Sequence, residues 1–210
     1  MSGPAAAGEL RGRVVVTRGL TKKRVNLPQY EQRGAAVYEP PASSVTDEFQ
    51  KIVVYLEGAD PQPGPPQTVL ITQKNRQFEP DVAVIPAGSS VTFPNADVIF
   101  HNVFSLSKAK SFDLGHYPAG QSRTVLFRSA GVVQVYCRLH PNMSAAVLVV
   151  PNRYYARPDT AGNFELGGVP PGDYRMVTWH KSAGTQTNSV RVPAAGVVEV
   201  SVLFPIVDKK

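Results

Sequence analysis

Residues 132–150 read VVQVYCRLHPNMSAAVLVV, two Val-rich runs separated by one short polar segment. Val132–Cys137 and Ala145–Val150 carry the β-branched content of strands, and Pro141 and Asn142 between them are turn residues. The strand ending at Cys137 therefore delivers a thiol, an imidazole (His140) and a thioether (Met143) into one tight loop. Together these form a soft donor set suited to copper, and a thiolate with a weak axial thioether is the blue-copper combination. A second imidazole has to come from elsewhere. His101, at the head of the β-like run Phe100–Leu106, is placed to supply it.

Other metals fit the same residues less well. Zinc also takes Cys and His, but its structural sites usually hold two or more cysteines, and thioether is a poor zinc ligand. The chain has a single cysteine, which excludes a binuclear copper centre bridged by two thiolates and any intrachain disulfide. A lone Cys, His or Met most often just fills core or makes a hydrogen bond. His116, in a turn-like stretch, and His180, after Trp179, are read in that ordinary way.

Working outward, residues 67–150 hold a dense series of short strand candidates: Thr68–Gln73, Val82–Ile85, Ser90–Phe93, Phe100–Leu106, Ser122–Phe127, Val132–Cys137 and Ala145–Val150. Turn residues such as Pro86–Gly88, Pro118–Gly120 and Ala130–Gly131 separate them, the pattern of a β-sandwich. Residues 9–66 contain two further strand-like runs, Leu10–Thr17 and Ile52–Leu56, before the Pro-rich turn or linker Ala59–Pro66. Residues 151–210 alternate turns with strands again, at Phe164–Leu166, Tyr174–Trp179 and Val197–Phe204. With 19 Pro, 17 Gly and no long amphipathic periodicity, the chain is expected to be all-β.

Composition narrows the function classes. Hydrophobic residues make up 42% and charged residues 18%, a globular balance. A net charge of +6 favours an acidic partner, but the basic residues do not interleave with aromatics, so nucleic acid is not expected; the densest run, Arg18–Arg24, reads as a solvated loop. No run of about 20 apolar residues is present to span a membrane.

His-Asn-Val at residues 101–103, far upstream of Cys137-x-x-His140-x-x-Met143, resembles the cupredoxin family of amicyanin- and plastocyanin-like blue copper proteins, over residues 67–150. The resemblance implies a Greek-key sandwich holding one type 1 copper per chain through His101, Cys137, His140 and Met143, and single-electron transfer with a redox protein partner outside the cytoplasm, without substrate conversion. It implies that Asn102 pins the Cys137 loop by a hydrogen bond, while Pro141 stiffens that loop by fixing φ. Where amicyanin-like loops have Pro before the second His, this chain has Leu139, whose N–H is expected to point at the thiolate and raise the reduction potential. A copper-delivery protein, or an assembly subunit of a redox complex, is the alternative. The start MSGPAAAGEL lacks the regions of a secretory signal, so a periplasmic or other extracytoplasmic location is expected to depend on a signal or anchor removed from this sequence.

The flanks resemble a second family. Asp159-x-x-Gly162-x-Phe164-x-Leu166 followed by Gly168–Arg175, together with upstream strands at Gly12–Val15 and Val53–Leu56, is similar to the carboxypeptidase regulatory-like (prealbumin-like) sandwich. The expected organisation is therefore a copper domain, residues 67–150, inserted into or joined to a smaller β-sandwich formed by residues 9–66 and 151–210. Insertion would pair Arg13–Thr17 and Ile52–Leu56 with the strands of Phe164 and Tyr174.

Overall fold

The computed structural model describes residues 8–17, 48–58 and 64–204, and these form seventeen strands in an all-β architecture. The run Arg18–Arg24 and most of the turn segment Ala59–Pro66 lie outside the described residues.

Ligand-bearing strands belong to a sheet ordered β6 (Val82–Pro86), β12 (Ser144–Val150), β11 (Gly131–Tyr136), β8 (His101–Ser107), β9 (Lys110–Tyr117). A second sheet, β10 (Ser122–Phe127), β7 (Ser89–Pro94) and β3 (Thr68–Leu70), shares a core with it. Val91, Phe93, Val125 and Phe127 from the second sheet pack with Ile85, Val103, Val133, Val135, Val147 and Val149 from the first. The alternation along β7, buried at every second residue, is the expected signature of a strand with one face in that core.

β12 is different, and the reason is architectural. Ala145, Val147 and Val149 point into this core, whereas Ala146, Leu148 and Val150 enter another cluster with Val53, Val82 and Trp179. Both faces of the strand are covered, so its sequence is a continuous apolar run without alternation.

The covering surface comes from the two ends of the chain. β2 (Ile52–Glu57) lies between β13 (Tyr155–Ala156) and β15 (Gly172–His180), with β16 (Gly184–Val192) beyond β15. β1 (Gly8–Val16) lies between β14 (Asn163–Val169), antiparallel, and β17 (Val197–Phe204), parallel. Leu10, Val14, Ile52, Val54, Leu56, Phe164, Leu166, Met176, Val202 and Phe204 form the core between these sheets. Ile52–Leu56 pairs with the Tyr174 strand as expected, Leu56 opposing Met176, but β1 meets the Phe164 strand through Gly8–Arg13, ending where Arg13 opposes Asn163, and Val14–Val16 pair with β17 instead. Gly162 shows why the Asp159 turn carries glycine: φ is +87°, and a Cβ there would collide with the Val14 carbonyl oxygen. The same turn is fastened from within, since Asp159 Oδ1 accepts the N–H groups of Ala161 and Asn163 at 2.8 Å each.

Three strand expectations change. Thr68–Gln73 is broken into β3 and β4 (Thr72–Lys74), because Ile71 turns into the core and β4 leaves to pair with β5 (Gln77–Glu79). The stretch around His116 is strand β9 and not a turn; at its outer-edge position only Tyr117 is fully buried, which hides the apolar signal. β16 is likewise an edge strand whose GTQTNSVRV sequence is too polar to announce itself.

Candidate metal centre

Pairing of β8 with β11 places the head of one strand beside the end of the other, which brings His101 to Cys137. Beyond Cys137 the chain doubles back: the Cys137 N–H donates to the Met143 carbonyl at 3.3 Å, and the Met143 N–H donates to the His140 carbonyl at 3.0 Å. The second bond closes a β-turn with Pro141 at its second position, where a fixed φ is favoured. His140 is thereby folded back over the thiol.

Three donor atoms converge. His101 Nδ1 lies 3.1 Å from His140 Nδ1, and Cys137 Sγ lies 3.8 Å from the first and 3.6 Å from the second. Imidazole nitrogens bind a metal at about 2.0 Å and thiolates at about 2.3 Å, so one ion can reach two nitrogens up to about 4 Å apart, or a nitrogen and a sulfur up to about 4.3 Å apart. All three edges fall inside these limits. His101 is fully buried, Cys137 is 5% exposed, and Met143, 1% exposed, belongs to the same buried cluster as Cys137. Among the described residues, this is the one His/Cys/carboxylate group arranged to hold a metal.

The proton positions reinforce the fit. His101 Nε2 is 2.7 Å from Asp97 Oδ2; with its N–H given to that carboxylate, the ring turns a bare Nδ1 lone pair toward the other two donors. Burial pushes Asp97 up, but N–H donation from Arg76, His101 and Asn75 outweighs it and holds the carboxyl below its ordinary value. Burial first, then the nearby His101 and Arg76, pushes His140 below the usual imidazole value, which keeps that ring neutral as a ligand must be. Across the 3.1 Å between the two Nδ1 atoms, a proton on His140 Nδ1 makes a ring-to-ring hydrogen bond, and a metal ion would take the place of that proton.

The surrounding residues divide. Asn102, 1% exposed, makes no hydrogen bond to the Cys137 loop among the described residues; its amide donates to Asp113 Oδ1 at 2.7 Å and to the Gly115 carbonyl at 3.1 Å. The loop is reached indirectly, because Asp113 Oδ2 accepts from Arg138 Nη2 at 3.0 Å. Leu139 is 47% exposed, and among the described residues no hydrogen bond joins its N–H to Cys137 Sγ. His116 is exposed, and His180 is a fully buried, hydrogen-bonded histidine. Sequence reasoning misses Asp97, Asp113 and Arg138. Asp97 stands four residues before His101, a spacing that flags it only once the intervening segment is recognised as a turn.

No protein-family model and no curated protein matches the chain. Among solved structures, it is similar to a purple cupredoxin from Nitrosopumilus maritimus, at 26% identity and a TM-score of 0.35 over 41% of this chain and 100% of that one. An oxidised mutant form of amicyanin matches at 20% identity and TM-score 0.37, over 39% of this chain and 81% of that one. A copper-containing nitrite reductase from Thermus scotoductus SA-01 matches at 24% identity and TM-score 0.38, over 45% of this chain and 24% of that one. Each match falls on under half of this chain, and the chemistry of the site follows from its own side chains.

Proposed function

We propose that the protein binds one copper ion through His101, Cys137, His140 and Met143 and passes single electrons to and from a protein partner outside the cytoplasm. The observation that carries this is the convergence of one thiol sulfur and two imidazole nitrogens within 3.8 Å of one another, with a thioether in the same buried cluster. Copper bound there would supply a one-electron couple. The chain's own part is to hold the donors still: the Pro141 turn fixes His140, the β8–β11 pairing fixes His101 against Cys137, and burial keeps water away from the sulfur. Such a preset site would need little rearrangement between oxidation states. Only His140 among the nitrogen ligands is partly exposed, beside the half-exposed Leu139, which makes its ring edge the natural electron port. The net charge of +6 favours a partner with acidic groups around its own port.

Residues 9–66 and 151–210 are read as one β unit split by the copper unit, 67–150. In support, among the described residues β1 and β2 find their sheet neighbours only in strands after residue 151. The prealbumin-like assignment of that unit is part of the proposal.

The test is to load the protein with Cu(II), measure metal per chain and record the visible spectrum. One copper and an intense thiolate-to-copper band that is abolished in Cys137→Ser are expected. A colourless Cu(II) form, or an unchanged band in the variant, overturns the reading. A copper-delivery protein would instead surrender Cu(I) readily to a competing chelator.

A further inference from the structure

We propose that Asp97 is the positioning residue of the centre: its carboxylate presets the tautomer and orientation of His101 and ties that ligand to the Asn75–Arg76 turn. This rests on the copper reading above. Asp97 accepts three hydrogen bonds, from His101 Nε2 at 2.7 Å, from the Asn75 N–H at 2.6 Å and from the Arg76 N–H at 2.9 Å. Asn75 and Arg76 are the two central residues of the β4–β5 hairpin, with φ of 53° and 56°. Two successive left-handed residues aim both N–H groups at the one carboxylate, at a local cost that neither Asn nor Arg removes as Gly would.

Asp97 is itself held. Its N–H donates to Asn95 Oδ1 at 2.9 Å, and the Asn95 amide donates to the carbonyls of Ile99 and Tyr117, at 2.8 and 3.1 Å. Asn95 is 2% exposed and the Asp97 side chain 14% exposed, so water competes little for these bonds. The loop from Asn95 to His101 is therefore a brace built behind the ligand. A carboxylate on the far nitrogen makes an imidazole a stronger donor, which favours the more highly charged Cu(II) over Cu(I).

Asp97→Ala and the isosteric Asp97→Asn test this in the whole chain. In the metal-free wild type, NMR should show a slowly exchanging, downfield His101 Nε2–H and protected Asn75 and Arg76 amides; the variants should lose the first. Competition titrations should show Cu(II) affinity falling about 10- to 100-fold, as removing such partners generally does. Cu(I) affinity should fall at least tenfold less, so the reduction potential rises by about 59 mV or more. If the Ala variant does not fold, the Asn variant decides. A variant that keeps the wild-type potential and both affinities, whatever happens to the turn amides, reduces Asp97 to a hairpin cap and overturns the proposal. Should the wild type itself show no visible band with Cu(II), the copper reading fails separately, and a wild-type Nε2–H that exchanges as fast as in Asp97→Ala would then overturn the preset tautomer.

Discussion

Asn102 and Arg138 meet opposite oxygens of one carboxylate: Asn102 Nδ2 lies 2.7 Å from Asp113 Oδ1, and Arg138 Nη2 lies 3.0 Å from Asp113 Oδ2. The residue after His101 is thus linked through β9 to the residue after Cys137. Arg138 also stacks on Phe104, with its Cζ 4.5 Å from the ring centroid, so the link is planar on one side and hydrogen-bonded on the other.

The two ends of this link differ in burial, and the costs should follow. Asn102→Ala strips a buried amide that donates to the Asp113 carboxylate and to the carbonyl of exposed Gly115, a loss of about 1–3 kcal/mol. Arg138→Ala breaks an ion pair about half exposed on both sides, worth under about 1 kcal/mol. Urea unfolding of both metal-free variants checks the order. Equal losses would mean the link is carried by Arg138 and not by the buried amide.

His180 provides a pH prediction away from the metal. Its Nδ1 accepts the N–H groups of Ser182 and Ala183, at 3.1 and 3.0 Å, so its proton sits on Nε2 and goes to Glu48 Oε2 at 2.8 Å. Burial, only partly opposed by Glu48, lowers this imidazole below its ordinary 6.5. The unfolded chain then binds the proton first, and stability declines as pH falls below 6.5 until the native ring also titrates. Replacing His180 with Gln should flatten that part of the stability–pH curve. An identical slope in variant and wild type would assign the acid loss to other groups.

Leu139→Pro should leave the reduction potential where it is. Among the described residues the Leu139 N–H makes no bond to Cys137 Sγ, so its removal takes no charge-withdrawing donor from the thiolate. Voltammetry with the visible band intact is the measurement. A fall of tens of millivolts would restore the hydrogen bond expected from the sequence.

The ligand loop is legible in the sequence because its chemistry is local: Cys137, His140 and Met143 are bound to one turn, and Pro141 marks it. Asp97, in a loop, and Asp113, on the edge strand β9, are not, since an acidic residue looks the same whether it faces water or a buried donor. Strand existence can be read wherever one or both faces are apolar, as in β7 and β12, and fails at β9 and β16, where the edge position removes the pattern. Pairing across the two ends of the chain is readable through the motifs at Asp159–Leu166 and Gly168–Arg175 and the upstream strands that accompany them. Nothing in a run such as AAVLVV says that its second face meets Trp179.

That second face decides the outcome of removing the copper unit. The excision points are close, because a Cβ on Gly64 would lie 3.2 Å from Arg153 Cβ and Gln67 Nε2 donates to the Tyr155 hydroxyl at 3.0 Å. Deleting residues 67–150 and joining the flanks with a short Gly/Ser turn should therefore leave β1–β14 and β2–β15 paired. It also uncovers Val53 and Trp179, which are 0% and 4% exposed in the whole protein and have Leu148 and Val150 as their cover. An exposed face of this kind drives association. The simple deletion should fold with β-type circular dichroism but self-associate, whereas the same deletion carrying Val53→Thr and Trp179→Gln should stay monomeric with a cooperative melt. The intact protein reports the same contact: Leu148→Ala should cost about 2–5 kcal/mol, a cavity loss, and shift the Trp179 emission to longer wavelength. Hydrogen exchange on the monomeric deletion closes the argument. If the amides of β1 exchange as fast as an unfolded chain while β15 and β16 are protected, the two ends are separate pieces and not one split β unit.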